Sequence, residues 1–207
     1  MESTDINVKP STIIIRGNTT KKQVAFTYDT GEHDSETEAI LNILEKQNVK
    51  CTFFTTGVWA KKFEKLINRA VEQGHEVGNH SFDHPDLRNL SYEEIINNIS
   101  EGEKAIKEVT GIKTKLFRLP YGHYDDKVLK AVNAAGYEEN IFWSIDTLDW
   151  TSPPVQSIVN KIIVNPKNGD IILMHVGAKN TAASTYKAIL NLKARGFEFV
   201  TVSEILN

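Results

Sequence analysis

The chain has 207 residues, 40% of them hydrophobic and 25% charged, with a formal net charge of -3. That length suits one domain with a substantial core and is short for two, and the balanced charge leaves no basic footprint for nucleic acid and no patch for a membrane surface. The single cysteine, Cys51, excludes an internal disulfide; no run approaches the ~18 apolar residues that span a bilayer, and Met1 to Pro10 is too polar for the apolar part of a signal peptide.

In chain order, residues 1–22 read as an N-terminal extension with a short strand near Ile13–Ile15, ahead of a main domain over 23–207. Short β-branched and aromatic runs predict further strands near Val24–Tyr28, Cys51–Thr55, Glu76–Asn79, Lys115–Arg118, Ile141–Ile145, Asp170–His175 and Phe197–Val200. Cys51 falls inside one of these runs and reads as a small core residue. Between the runs lie helical stripes: Phe63, Leu66, Ile67, Ala70 and Val71 form one, and Ile95, Ile99, Gly102, Ile106 and Val109 another. Ser35 with Glu38 and Ser91 with Glu94 have capping-box spacing, and Gly74, Gly111, Gly136 and Gly196 fall just past helical stretches. Strands alternating with helices predict an α/β fold with a mostly parallel sheet. About seven or eight such units point to a (β/α) barrel, with an open doubly wound sheet as the structural alternative.

Polar residues gather where the predicted strands finish, the face on which parallel α/β folds build their sites. Asp29 follows Val24–Tyr28, and His80 ends another strand with His84 four positions on. Arg118 precedes Leu119-Pro120-Tyr121-Gly122, Asp146 and Asp149-Trp150 follow Ile145, and His175 ends Asp170–Met174. Each has a bland reading alone. Asp29 can cap a turn, Arg118 can be a structural ion-pair partner, His175 a satisfied, half-buried histidine, and a His-x-x-x-His spacing is often incidental. Together they supply a base, two metal-type imidazoles, a guanidinium and a His–carboxylate pair on one face.

These segments resemble the five-part signature of the polysaccharide deacetylase (NodB-homology) family. Thr27-Tyr28-Asp29-Thr30-Gly31 is similar to its first motif, and His80-Ser81-Phe82-Asp83-His84 matches the second. Arg118-Leu119-Pro120-Tyr121-Gly122 resembles the third, Asp146-Thr147-Leu148-Asp149-Trp150 the fourth and Leu173-Met174-His175 the fifth, all in family order. The resemblance implies a distorted (β/α) barrel that removes an acetyl group from an N-acetylated glycan, peptidoglycan or chitin-like. It implies Asp29 as catalytic base, His175 as general acid tuned by Asp149, Arg118 as the group orienting Asp29, and His80 and His84 as ligands of a divalent metal, zinc being the expected ion. Tyr121 would give a backbone N–H to the oxyanion, and Trp150 and Leu173 would line the acetyl pocket.

Thr30 departs from the family pattern, which has a metal-binding aspartate there. A neutral hydroxyl is a poorer ligand than a carboxylate, so the resemblance implies weakened metal binding unless Glu32, His33 or Asp34 substitutes. Two further readings stay open: an O-acetyl esterase of the xylan type, and a catalytically silent carbohydrate-binding module. By resemblance the chain acts outside the cell or at the cell wall, with a cytoplasmic location as the alternative; the expected partner is an acetylated glycan, with no nucleic acid and no transmembrane segment.

Overall fold

A computed structural model describes residues 8–207; part of the proposed N-terminal extension, residues 1–7, lies outside them. Its strands are β1 (Thr12–Ile14), β2 (Gln23–Asp29), β3 (Thr52–Thr55), β4 (Glu76–Asn79), β5 (Glu139–Ile141), β6 (Ile145–Asp146), β7 (Asp170–His175) and β8 (Glu198–Phe199). The helices are α1 (Thr37–Gln47), α2 (Gly57–Lys62), α3 (Glu64–Glu72), α4 (Tyr92–Thr110), α5 (Asp126–Ala134), α6 (Val155–Ile163), α7 (Thr181–Ala194) and α8 (Val202–Leu206). Among the described residues no helix is long and apolar enough to cross a membrane.

The strands pair in parallel in the order β4-β3-β2-β7-β6, with β8 beside the start of β2 and β1 beside β5. Bridges from Asn79 to Phe117 and from Phe117 to Asn140 carry the ladder from β4 round to β5, and β5 leads within three residues to β6. The result is the expected α/β fold, a parallel sheet curled into a distorted ring. The predicted strand at Lys115–Arg118 shrinks to that single bridging residue. The next backbone N–H, that of Leu119, donates to the side-chain amide oxygen of the distant Asn140 (3.2 Å) instead of to a ladder carbonyl, and Pro120 follows with no N–H to give.

Strand periodicity decides what faces the inside of the ring. Val24, Phe26 and Tyr28 of β2, with Ile172 and Met174 of β7, pack outward in a core shared with α1 and α7. Ala25 and Ile171 point the other way, into an inner cluster with Phe54, Ile141 and the α8 residues Val202 and Ile205. The inward rows therefore continue as Ala25-Thr27-Asp29 and Ile171-Leu173-His175, apolar where α8 closes one end and polar at the other. Cys51 is buried in the outer core, as expected.

Helix starts follow the sequence only in part. Ser91 and Glu94 do form a capping box on α4. Ser35 and Glu38 do not: α1 begins at Thr37 with Glu36 at its N-cap and no side-chain cap. Ser35 instead donates to the Gly177 carbonyl (3.1 Å) and the Glu36 carboxylate accepts from the Ala182 N–H (3.0 Å), so this corner tethers the loop after β2 to the start of α7.

Candidate active site

Pairing along β2 and β7 sets Asp29 directly opposite His175 on neighbouring strands. Because the whole sheet is parallel, the ends of β2, β4 and β7 open at one face, where a cavity of ≈ 500 Å³ is lined by Asp29, Thr30, His80, His84, Tyr121, Trp150, Leu173 and His175 among others. Arg118 is 0% exposed and lies beneath that surface, behind Asp29. The sequence-predicted residues thus come together, with Arg118 and the equally buried Asp149 as supports and not part of the wall.

Asp29 is held by this guanidinium. Arg118 Nη1 donates to Asp29 Oδ1 at 2.6 Å and to Thr27 Oγ1 at 2.9 Å, while Nε and Nη2 reach the carbonyls of Ile141 (2.9 Å) and Phe142 (3.1 Å). Its flat face rests 4.0 Å from the centre of the Phe54 ring. A buried charge survives only when its hydrogen-bonding capacity is met, and here four acceptors meet it. Burial alone would raise the Asp29 pKa; the Arg118 charge, followed by the imidazoles of His80 and His175, outweighs it and holds the carboxyl below the usual carboxylate range.

His175 is tied to a second carboxylate. Its Nδ1 lies 2.7 Å from Asp149 Oδ1, and its backbone N–H and the Thr181 hydroxyl both donate to Asp149 Oδ2 (2.8 and 2.7 Å). Asp149 is fully buried and accepts from three donors, which fixes the ring with Nε2 turned away from it. Burial works to lower the His175 pKa, but the Asp149 hydrogen bond and charge prevail and raise it.

The two other imidazoles sit together in the turn after β4, ring centres 4.8 Å apart. His80 Nδ1 is 2.8 Å from the Arg118 carbonyl, which can only accept, so this nitrogen carries the hydrogen and Nε2 is left as an acceptor. That Nε2 faces Asp29 Oδ2 at 3.5 Å, two acceptors turned toward each other. Burial lowers the pKa of His80 to about 4 and that of His84 below its ordinary value, so both rings are neutral near pH 7 and have lone pairs to offer. Thr30 is 1% exposed and its hydroxyl oxygen accepts the N–H of Thr56 (3.1 Å), the residue that caps α2. Among the described residues no three His, Cys, Asp or Glu side chains are arranged to hold a metal ion.

Backbone strain concentrates around the cavity. Ser81, His84, Tyr121 and Leu148 all have positive φ, between 56° and 72°, a conformation that costs non-glycine residues free energy and persists only where the surroundings impose it. Gly102 of α4 is part of that imposition. A Cβ there would stand 2.7 Å from Asn79 Oδ1 and from Ser81 O, so only glycine lets α4 lie against the turn carrying His80 and His84. We expect Gly102→Ala to lose about 1–3 kcal/mol to overpacking, more than the ~1 kcal/mol that alanine contributes to an exposed helix. Urea unfolding checks this, and a net gain in stability would refute the contact.

Two lining residues fall outside the motifs singled out in the sequence, His123 and Trp143. A signal existed for His123, which directly follows the Arg118–Gly122 motif. Trp143 gives none in sequence, because its place depends on the irregular step between β5 and β6.

A family model described as polysaccharide deacetylase matches residues 16–139, more than half of the chain. The chain is 36% identical to a peptidoglycan-N-acetylglucosamine deacetylase of Bacillus cereus over 90% of its own length and 89% of the relative's. It is 37% identical to the deacetylase PgdA of Listeria monocytogenes, covering 90% of this chain but only 39% of that protein, so it spans about two fifths of that relative's length. Among solved structures, a carbohydrate esterase family 4 pseudoenzyme from Bacillus anthracis superposes with a TM-score of 0.89 at 31% identity, covering 97% of this chain and 70% of the other. A mutant of that protein with restored enzymatic activity gives the same TM-score. The chain therefore belongs to the polysaccharide deacetylase family.

Proposed function

We propose that the chain hydrolyses the N-acetyl group of an N-acetylated glycan of the peptidoglycan or chitin type. The observation that carries this reading is the register that sets an ionised Asp29 beside a proton-bearing His175 at one cavity. Asp29 takes the proton of a water as its oxygen adds to the amide carbonyl carbon. The oxyanion so formed accepts from the Tyr121 N–H, and Trp150 and Leu173 enclose the acetyl methyl. His175 then protonates the nitrogen as the C–N bond breaks, releasing acetate and the amino sugar. Asp149 keeps His175 oriented and protonated, and Arg118 keeps Asp29 ionised and pointed into the cavity.

His80 and His84 are the donors for a divalent cation, and two converging acceptors at His80 Nε2 and Asp29 Oδ2 suit one nearby. The set is one anionic ligand short of the three protein ligands usual at catalytic zinc. A bound ion would add Lewis acidity at the carbonyl and its attacking water. We expect Thr30→Asp to tighten zinc binding roughly tenfold or more, because a carboxylate adds both an oxygen ligand and a compensating charge. Calorimetric zinc titration of both chains checks it; equal affinities would mean that Thr30 does not occupy a ligand position.

Thr30 and the likeness to a pseudoenzyme favour a second reading, a silent glycan-binding chain. Acetate release from acetylated peptidoglycan and chitooligosaccharides, with and without added zinc, separates the two. No release under any metal condition, with glycan binding retained, supports the silent reading.

A further inference from the structure

Tyr121 holds a φ of 59° with a side chain that is 58% exposed, so burial of its own ring does not pin the backbone N–H assigned to the oxyanion. Two bonds inside the turn, from the Gly122 N–H to the Leu119 carbonyl (3.1 Å) and from the His123 N–H to the Pro120 carbonyl (3.2 Å), shape it without tying it to a neighbouring element. On the inner side Gly122, at φ +66°, lies against Trp143, where a Cβ would stand 2.9 Å from the ring. The outer side needs a hold of its own.

His123 supplies it. Its Nδ1 stands 3.2 Å from Asp86 Oδ2 and 2.9 Å from Arg88 Nη2, at the start of the short turn Leu87–Asn89 that follows His84. Arg88 grips the same carboxylate through Nε (3.0 Å), Nη2 (2.6 Å) and its backbone N–H (3.1 Å). Lys127 of α5 braces this turn from behind, donating to the Arg88 and Leu90 carbonyls at 3.0 and 2.6 Å. The imidazole therefore meets a fixed guanidinium–carboxylate pair, to which Nδ1 can bond in either tautomer, accepting from Arg88 or donating to Asp86. Exposed ion pairs of this kind contribute little to overall stability. What the contact sets is the place of one loop against another: His84 stands on the first and Tyr121 on the second, ring centres 4.4 Å apart.

We propose that His123 is a positioning residue for the reaction: by joining Asp86 and Arg88 it fixes the Pro120–Gly122 turn beside the cavity and so aims the Tyr121 N–H at the acetyl oxygen as that oxygen becomes negative. The role rests on the deacetylase reading. His123 gives and takes no proton in that scheme; it acts through Tyr121. An oxyanion donor works only within hydrogen-bond range of the place where charge develops, and a shift of about 1 Å forfeits much of its effect. Because the oxyanion depends on that donor far more than the ground-state amide does, the loss falls on kcat and spares substrate affinity.

The test pairs steady-state deacetylation of the β-1,4-linked N-acetylglucosamine tetramer, with zinc added, with 15N relaxation of the Tyr121 and Gly122 amides. His123→Ala lowers kcat roughly tenfold and moves KM by less than about twofold. The same variant keeps a near-native urea midpoint and lowers the order parameters of both amides. His123→Asn, whose side-chain amide reaches the place of Nδ1, restores most of the rate and the order. A native rate in His123→Ala, a loss that lies in KM, or a loss of rate with both amides as rigid as in the native chain overturns the role and leaves the deacetylase reading standing. No acetate release by the native chain at any zinc concentration removes that reading and the role of His123 with it.

Discussion

Asp29→Asn lowers acetate release by roughly a hundredfold or more while the chain stays folded, and His175→Ala does the same. Asparagine has the shape of aspartate and still accepts from Arg118 Nη1, and the guanidinium keeps Thr27, Ile141 and Phe142 as acceptors, so no new cavity opens. What disappears is the ability to take a proton. The pH profile carries the same assignment. Asp29 is held below the ordinary carboxylate range and is ionised throughout the neutral region, so it sets only a far acid limb. His175 must be protonated to act as an acid; its pKa is raised, so kcat/KM falls as pH rises through that raised value. Asp149→Asn removes the charge that helps to raise it and moves the alkaline limb to lower pH. Steady-state assays across pH check all three variants, and a near-native rate in folded Asp29→Asn or His175→Ala removes that residue from the mechanism.

How much of this was legible in the sequence depends on how far each feature reaches along the chain. Val24-Ala25-Phe26-Thr27-Tyr28-Asp29 declares its own alternation, and that alternation alone puts Thr27 and Asp29 on the inner face. His80 and His84 are four residues apart within one irregular turn, so their meeting is local too. Strand ends collecting on one face follow from parallel pairing, which the strand–helix alternation implied. By contrast, the Ser35–Glu38 spacing is a valid cap only if nothing else competes, and Gly177 and Ala182, some 142 and 146 residues away, compete successfully. The Lys115–Arg118 run has strand composition, but whether it pairs depends on Asn140. Thr30 is the most consequential case. Sequence exposed the missing carboxylate, yet only the fold shows its hydroxyl engaged with the Thr56 N–H at the start of α2.

Arg118→Leu destabilises the chain by about 3–5 kcal/mol, the usual result of stripping one partner from a buried ion pair. Leucine removes the four hydrogen bonds the guanidinium makes and leaves Asp29, itself buried, facing the acceptor nitrogen of His80. The sign of the pH response follows. In the native chain the Asp29 pKa is depressed, so its contribution is present above the unfolded value near ~4 and is lost as pH falls through the folded value. Without Arg118, burial is the largest remaining influence and pushes the pKa up, so the folded state binds the proton more tightly than the unfolded one. The deficit of the variant should then shrink on going from neutral to mildly acidic pH. Asp29→Asn in the Arg118→Leu background should recover part of the lost stability at neutral pH, because it removes the stranded charge and keeps the volume. Urea unfolding of native, single and double variants at two pH values measures this. A double variant no more stable than Arg118→Leu would mean that the cost lies in the lost packing of the guanidinium between Phe54 and Trp143 and not in the buried carboxylate.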